Sequence, residues 1–143
     1  MTDPVTSDDV VKRVLETARS FAVVGASSNP ARASYGVMAF LLSRGFDVVP
    51  VNPGLAGQHL LGQKVYATLA GVPGPIDVVD IFRNSDAALE VTREALADRE
   101  RLHLKAIWMQ LDVINHAAAA EAKAAGLDVV MDRCPHIELA HGR

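Results

Sequence analysis

The chain has 143 residues, half of them hydrophobic and 22% charged, a composition that suits one packed domain and excludes disorder. Fourteen Lys and Arg against seventeen Asp and Glu leave a formal net charge of −3, the wrong sign for a general nucleic-acid or membrane binder. The single cysteine, Cys134, has no intrachain partner, the acidic start lacks the basic and apolar regions of a signal peptide, and a soluble, cytoplasmic protein is expected.

Residues 7–19 read as an amphipathic helix, with Val10, Val11, Val14, Leu15 and Ala18 on one stripe. Short β-branched runs at 21–25, 47–51, 77–81, 106–109 and 127–131 read as buried parallel strands. Between them, 35–43, 85–98 and 113–125 read as helices, with Ser85 or Asn84 as an N-cap and Gly126 as a C-cap. After the second strand the helix is missing; residues 52–74, rich in Gly and Pro, take its place with a short turn near 66–69. This alternation specifies an α/β protein with a Rossmann-like, doubly wound sheet. Five parallel strands are expected in the order 3-2-1-4-5, with helices on both faces and the extra N-terminal helix, all within one domain spanning 1–143.

In such a sheet the ligand lies beyond the carboxyl ends of the strands. The first loop there, Gly25-Ala-Ser-Ser-Asn-Pro-Ala-Arg-Ala-Ser-Tyr-Gly36, joins a strand to a helix through small residues. It suits a phosphate: backbone N–H groups and a helix N-terminus approach the anion, Ser27, Ser28 and Ser34 add hydroxyls, and Arg32 adds a fork. The bland alternative is a tight turn with a serine cap. The dinucleotide fingerprint is not met, because Ser27 and Pro30 stand where glycines belong, and the second strand ends Val51-Asn52-Pro53 with no carboxylate for a ribose diol.

The motifs Gly25-Ala-Ser-Ser-Asn-Pro30, Ser34-Tyr35, Val49-Pro-Val-Asn-Pro53, Gly62-Gln-Lys-Val-Tyr66, Asp77-Val-Val-Asp-Ile-Phe-Arg83, Ile107-Trp-Met-Gln110 and Met131-Asp-Arg-Cys-Pro135 occur in that order. Together they resemble the stand-alone CoA-binding domain proteins, a family similar to the N-terminal domain of the succinyl-CoA ligase α-subunit and of ADP-forming acyl-CoA ligases. The resemblance covers roughly residues 21–138. It implies coenzyme A or an acyl-CoA as cofactor. Gly25, Ala26 and Ser27 would form the pyrophosphate loop, with Ser28, Arg32, Ser34 and Tyr35 beside it. Val51, Asn52 and Pro53 would line the nucleotide pocket, and Phe82 and Arg83 would lie against the cofactor. At Leu111-Asp112 the family often has glycine, and Asp112 brings an acid near a polyanion.

The 3′-phosphate and pyrophosphate of CoA call for cations, and Arg32, Lys64, Arg83 and Arg133 stand near the predicted edge. No catalytic residue is expected. Cys134 reads either as a thiolate near Arg133 or as an inert buried residue, and the latter carries more weight. The five histidines lack metal-site spacing, and Trp108 reads as core. The phosphohistidine and ATP-grasp domains of the similar ligases are not in this sequence, so the expectation is a non-catalytic carrier, sensor or regulator. Two other readings stay open: an NAD(P)-binding oxidoreductase on the same fold, or an interaction subunit that binds no nucleotide. The expected partners are CoA itself and either a second copy of this chain or a separate acyl-CoA-handling enzyme.

Overall fold

The computed structural model describes residues 8–141. The first helix, α1 (Asp8–Thr17), buries Val11, Val14 and Leu15 at helical spacing and carries Asp8 and Asp9 in its first turn, where the helix dipole favours acids. Residue 7, the expected start of this helix, lies outside the described residues. The helix packs on its own sheet, and Arg13 Nε donates to Asp128 at 3.1 Å.

The chain continues through β1 (Ser20–Val24), α2 (Ala33–Ser43) and β2 (Asp47–Val51). A hairpin follows, β3 (His59–Leu60) with β4 (Gln63–Lys64), and then β5 (Val78–Ile81), α3 (Ser85–Ala97) and α4 (Arg99–Leu102). The last elements are β6 (Ala106–Met109), α5 (His116–Ala124), β7 (Asp128–Val130) and α6 (Pro135–Ala140). The five predicted strands are all present. Helix α5 starts three residues later than its pattern suggests, because Asn115 caps it: its side-chain oxygen accepts from Ala118 N at 2.9 Å. Asn84 rather than Ser85 caps α3, accepting from Ala87 N at 2.8 Å. Gly126, at φ +87°, ends α5 as expected. The hairpin and α6 were not foreseen; both are too short to carry a periodic signal. The turn expected near 66–69 is a 3₁₀ turn at Leu69–Gly71, and a second one lies at Pro53–Leu55.

The sheet is parallel and doubly wound, with hydrophobic residues on both faces. In β1, Phe21 and Val23 face α1 and α2, while Ala22 and Val24 face α3 and α5. The strand order corrects the expectation in one respect. It runs β2-β1-β5-β6-β7, so the parallel strands stand 2-1-3-4-5, not 3-2-1-4-5. The cause lies at the outer edge of β2. Tyr66 N donates to Pro50 O at 3.0 Å and Asn52 N donates to Tyr66 O at 2.9 Å, so the segment after β2 occupies the place a third strand would need. Pro50, which has no N–H to give a ladder, marks β2 as that kind of edge strand. The chain therefore crosses back and pairs β5 with the other side of β1, Val24 opposite Ile81. The order reverses between β1 and β5, which places the switch point at Gly25 and Phe82.

Candidate functional site

Gly25 leaves β1 at φ +91°, and a Cβ there would stand 3.1 Å from the Phe82 carbonyl carbon and oxygen. Only glycine allows this approach of the two strand tips. Phe82 N donates to Val24 O at 2.8 Å and fixes the junction. The loop is also held from β2: Gly25 N and Ala26 N donate to Val51 O at 3.0 and 3.3 Å. These two N–H groups are therefore spent on the fold, a departure from the simplest picture of a phosphate loop.

The donors left over lie slightly further on. Asn29 N donates to Ser27 Oγ at 3.1 Å and Ala31 N to Asn29 Oδ1 at 2.9 Å, which folds the loop into two consecutive local turns. Helix α2 then begins with Arg32 at its N-cap, and no side chain caps it. By contrast α3 and α5 each carry an Asn cap. The N–H groups of Ala33 and Ser34 thus open onto the crevice without a protein acceptor among the described residues, together with the positive end of an 11-residue helix.

Two compartments share Gly25, Asn52 and Arg83. The first, about 440 Å³, is lined by Ala26, Ser27, Arg32, Ala33, Ser34 and Phe82 as well. The second, about 290 Å³, adds Val24, Val51, Pro53, Ala67 and Thr68 on one side and Ala87, Glu90, Val91 and Glu94 of α3 on the other. Arg32 and Arg83 make no ion pair among the described residues. Two uncommitted guanidinium groups and a bare helix end face the same space. Asn52 is fully engaged: Nδ2 donates to Ala26 O and Oδ1 accepts from Gly54 N, both at 2.8 Å. Its role is to tie the first loop to the turn after β2.

Most of the sequence-predicted residues come together here: Gly25, Ala26, Ser27, Arg32, Ser34, Val51, Asn52, Pro53, Phe82 and Arg83 all line one compartment or the other. Ser28 is exposed on the loop, and Tyr35 is half-buried and lines neither. Of the other cations, Lys64 Nζ stands 5.2 Å over the Tyr66 ring, and Arg133 pairs with Asp8 and Glu138 at 3.0 and 3.1 Å. Asp112 lines neither compartment. It sits at φ +67°, the conformation that explains a glycine preference there, with its N–H donating to Asp132 Oδ1 at 2.7 Å. Cys134 is buried before α6, and Trp108 is fully buried, its Nε1 donating to Arg133 O at 2.7 Å. The residues missed are Ala67, Thr68 and the α3 stripe Ala87, Glu90, Val91 and Glu94. Their spacing was visible in the sequence, but with the third strand misplaced beyond β2 that helix face had no crevice to meet.

No helix of the described residues is long and apolar enough to cross a membrane. The chain is 34% identical over 131 residues to the uncharacterized protein YneT of Bacillus subtilis, covering 92% of this chain and 91% of that one. It superimposes with a TM-score of 0.86 on a hypothetical protein from Pyrococcus horikoshii, 33% identical, covering 99% of this chain and 96% of that one. A further likeness, TM-score 0.63 and 26% identity, is to the dinucleotide-forming acetyl-coenzyme A synthetase 1 of Ca. Korarchaeum cryptofilum. It covers 78% of this chain and 25% of that one, so the match is to one part of a larger enzyme. The sequence pattern of the CoA binding domain matches residues 19–140, and the chain belongs to that family.

Proposed function

We propose that this protein binds coenzyme A or an acyl-CoA as a stand-alone, non-catalytic module, serving as a carrier, sensor or regulator for a separate acyl-CoA-handling enzyme. The observation that carries this reading is the convergence of the uncapped α2 N-terminus with Arg32 and Arg83, two arginines without an ion pair among the described residues, at the switch point of the sheet. A diphosphate satisfies all of them at once: it accepts from the free N–H groups, meets the helix dipole and neutralises the guanidinium pair. Membership of the family supports CoA as the bearer of that diphosphate.

Two features favour binding over chemistry. Among the described residues lining the crevice there is no His, Cys, Lys or Tyr, the groups from which a nicotinamide-dependent oxidoreductase would draw its acid–base partner. Asn52, at the tip of β2, carries no charge for a ribose diol, and its amide is already bonded.

The test is a thermal-unfolding titration against CoA, acetyl-CoA, NAD, NADP and ATP. A ligand at a hundredfold excess over its Kd stabilises the fold by about 2.7 kcal/mol. CoA or acetyl-CoA is expected to give the largest shift, and Arg32→Ala to reduce it. A larger response to NAD or NADP would return the oxidoreductase reading, and silence from all five would favour the nucleotide-free interaction subunit.

A further inference from the structure

Helix α2 differs from its neighbours in carrying no charge. The exposed positions of α1 include Asp8, Asp9, Lys12, Arg13 and Glu16, and those of α3 include Asp86, Glu90, Arg93 and Glu94. None of the eleven residues of α2 is charged. Ser34, Val37, Met38 and Leu41 are buried, which leaves Tyr35, Gly36, Ala39, Phe40, Leu42 and Ser43 on the outer side, Gly36 and Ser43 exposed and the others half-buried. A helix that is apolar all round is ordinarily covered on every side. Helix α6 extends this face: it packs beside α2, His136 stacks on Phe40 with ring centroids 3.8 Å apart, and Ile137 is 43% exposed. Gly36 is an independent sign. It stands inside the helix, where glycine is less stable than alanine. A Cβ there would meet nothing within 4 Å, and the residue lines neither compartment of the crevice. Neither the fold nor the ligand site accounts for the glycine; a body packed closely on the outer face does.

We infer that this face is the interface with a second copy of this chain, in which the two α2 helices pack antiparallel across a twofold axis. Shape and charge both favour that occupant. Gly36 leaves a gap and Phe40 makes a ridge one turn further on, about 6 Å along the helix. A twofold axis sets residue i against j and j against i, so each Phe40 ring enters the gap that the other copy's Gly36 leaves open. Residues near such an axis face their own copies, where a charge would repel itself, and an uncharged helix avoids this. The antiparallel arrangement also turns the open, positive N-terminus of each α2 toward the negative C-terminus of the other. A nucleic acid or an anionic membrane would need a row of cations, and Arg32 and Arg44 stand only at the two ends of the helix. The inference stands apart from the CoA reading and does not require it.

Sedimentation equilibrium of the full chain without ligand, from about 1 to 200 µM, covers the range in which a small interface associates. The natural chain is expected to dimerise within it. Gly36→Leu fills the gap and should weaken the dimer by about tenfold or more. Leucine is the better helix former, so the unfolding temperature of the dilute monomer should hold or rise, which separates a lost contact from a damaged fold. Phe40→Ala removes the ridge and should cost a similar factor. The double variant G36F/F40A moves the ring to the other member of the pair. It is expected to regain the natural dissociation constant to within about threefold, while G36F alone stays weak. A natural chain that is monomeric throughout overturns the inference. So does a dimer that survives both Gly36→Leu and Phe40→Ala unchanged, which would place the contact on another face. A G36F/F40A variant no stronger than G36F overturns the pairing of Gly36 with Phe40 across the axis.

Discussion

Replacing Asp80 with Asn is predicted to remove a pH-dependent loss of stability. Asp80 lies in the middle of the sheet, opposite Val23 on β1 and Trp108 on β6. It is 0% exposed, and neither carboxyl oxygen has a partner among the described residues. Burial without compensation disfavours the charged form, so its pKa is held well above the ordinary carboxylate value. The sign follows from proton counting. The unfolded chain gives up this proton near pH 4, whereas the folded chain keeps it until its raised pKa is reached. Folding therefore binds a proton in that window. The stability is fully present below the unfolded value and falls by about 1.4 kcal/mol for each pH unit above it, until the folded group ionises too.

Asn has nearly the same shape and does not titrate. Its amide is as poorly satisfied as a neutral carboxyl, so near pH 4 the two proteins should differ little. Above that, the variant gains on the natural chain by about 1.4 kcal/mol per pH unit, or about 3–6 °C in Tm for a chain of this size. Paired urea titrations from about pH 4 to 8, with m unchanged, read the gap directly, and subtraction removes the carboxylates common to both proteins. A gap that stays constant across that range would refute the reasoning, because it would mean that Asp80 is charged and partnered within the fold.

Gly25→Ala should cost about 1–3 kcal/mol and abolish the response to CoA, since it places a Cβ at φ +91° and 3.1 Å from the Phe82 main chain; an unchanged Tm and affinity would count against the junction. Asp112→Gly is expected to change stability by between zero and about +1 kcal/mol, because the contacts at φ +67°, to Asp132 and Ser85, are made by its main chain and survive. A loss measured in urea would instead show that the Asp side chain is needed. Arg101→Ala should cost about 1–3 kcal/mol and Arg101→Lys should not fully restore it, since the guanidinium bridges Val72 O at 2.6 Å and Leu69 O at 3.1 Å and only a fork reaches both. Equal stability of the Lys variant would refute the bridging role.

Where a segment's own periodicity decided its structure, the sequence was readable. The five β-branched runs are strands because each is buried on both faces, and the Val10–Ala18 stripe makes a helix because the sheet offers it an apolar surface. The order of the strands was the point of failure. Pro50 held the necessary information: a residue with no N–H inside a β-branched run belongs at an edge. An order with the second strand in the interior ignored it. The segment that fills that edge pairs with β2 at Tyr66, and the hairpin just before it has two residues on each side; both are too short for alternation to register. The site inherited the same error. Residues on the loops after β1, β2 and β5 could be picked out from glycine, serine and arginine placement, because these lie at the carboxyl edge in any strand order. The acidic stripe of α3 could not, since its partner surface exists only when β5 lies beside β1.

That dependence also shapes the proposed anion site. Had the third strand stood beyond the second, Phe82 and Arg83 would have ended two strands away from Gly25, and one arginine would have faced the loop alone. Pairing β5 with β1 brings Arg83 to the boundary of both compartments, while the carbonyl of Val51 takes up the first two N–H groups of the loop. On the proposed function, recognition rests on what surrounds the turn: the open end of α2, Arg32 at its N-cap and Arg83 just past β5. A site assembled this way depends on the register between β1 and β5, and Gly25 is the residue that lets those tips approach closely enough to hold it.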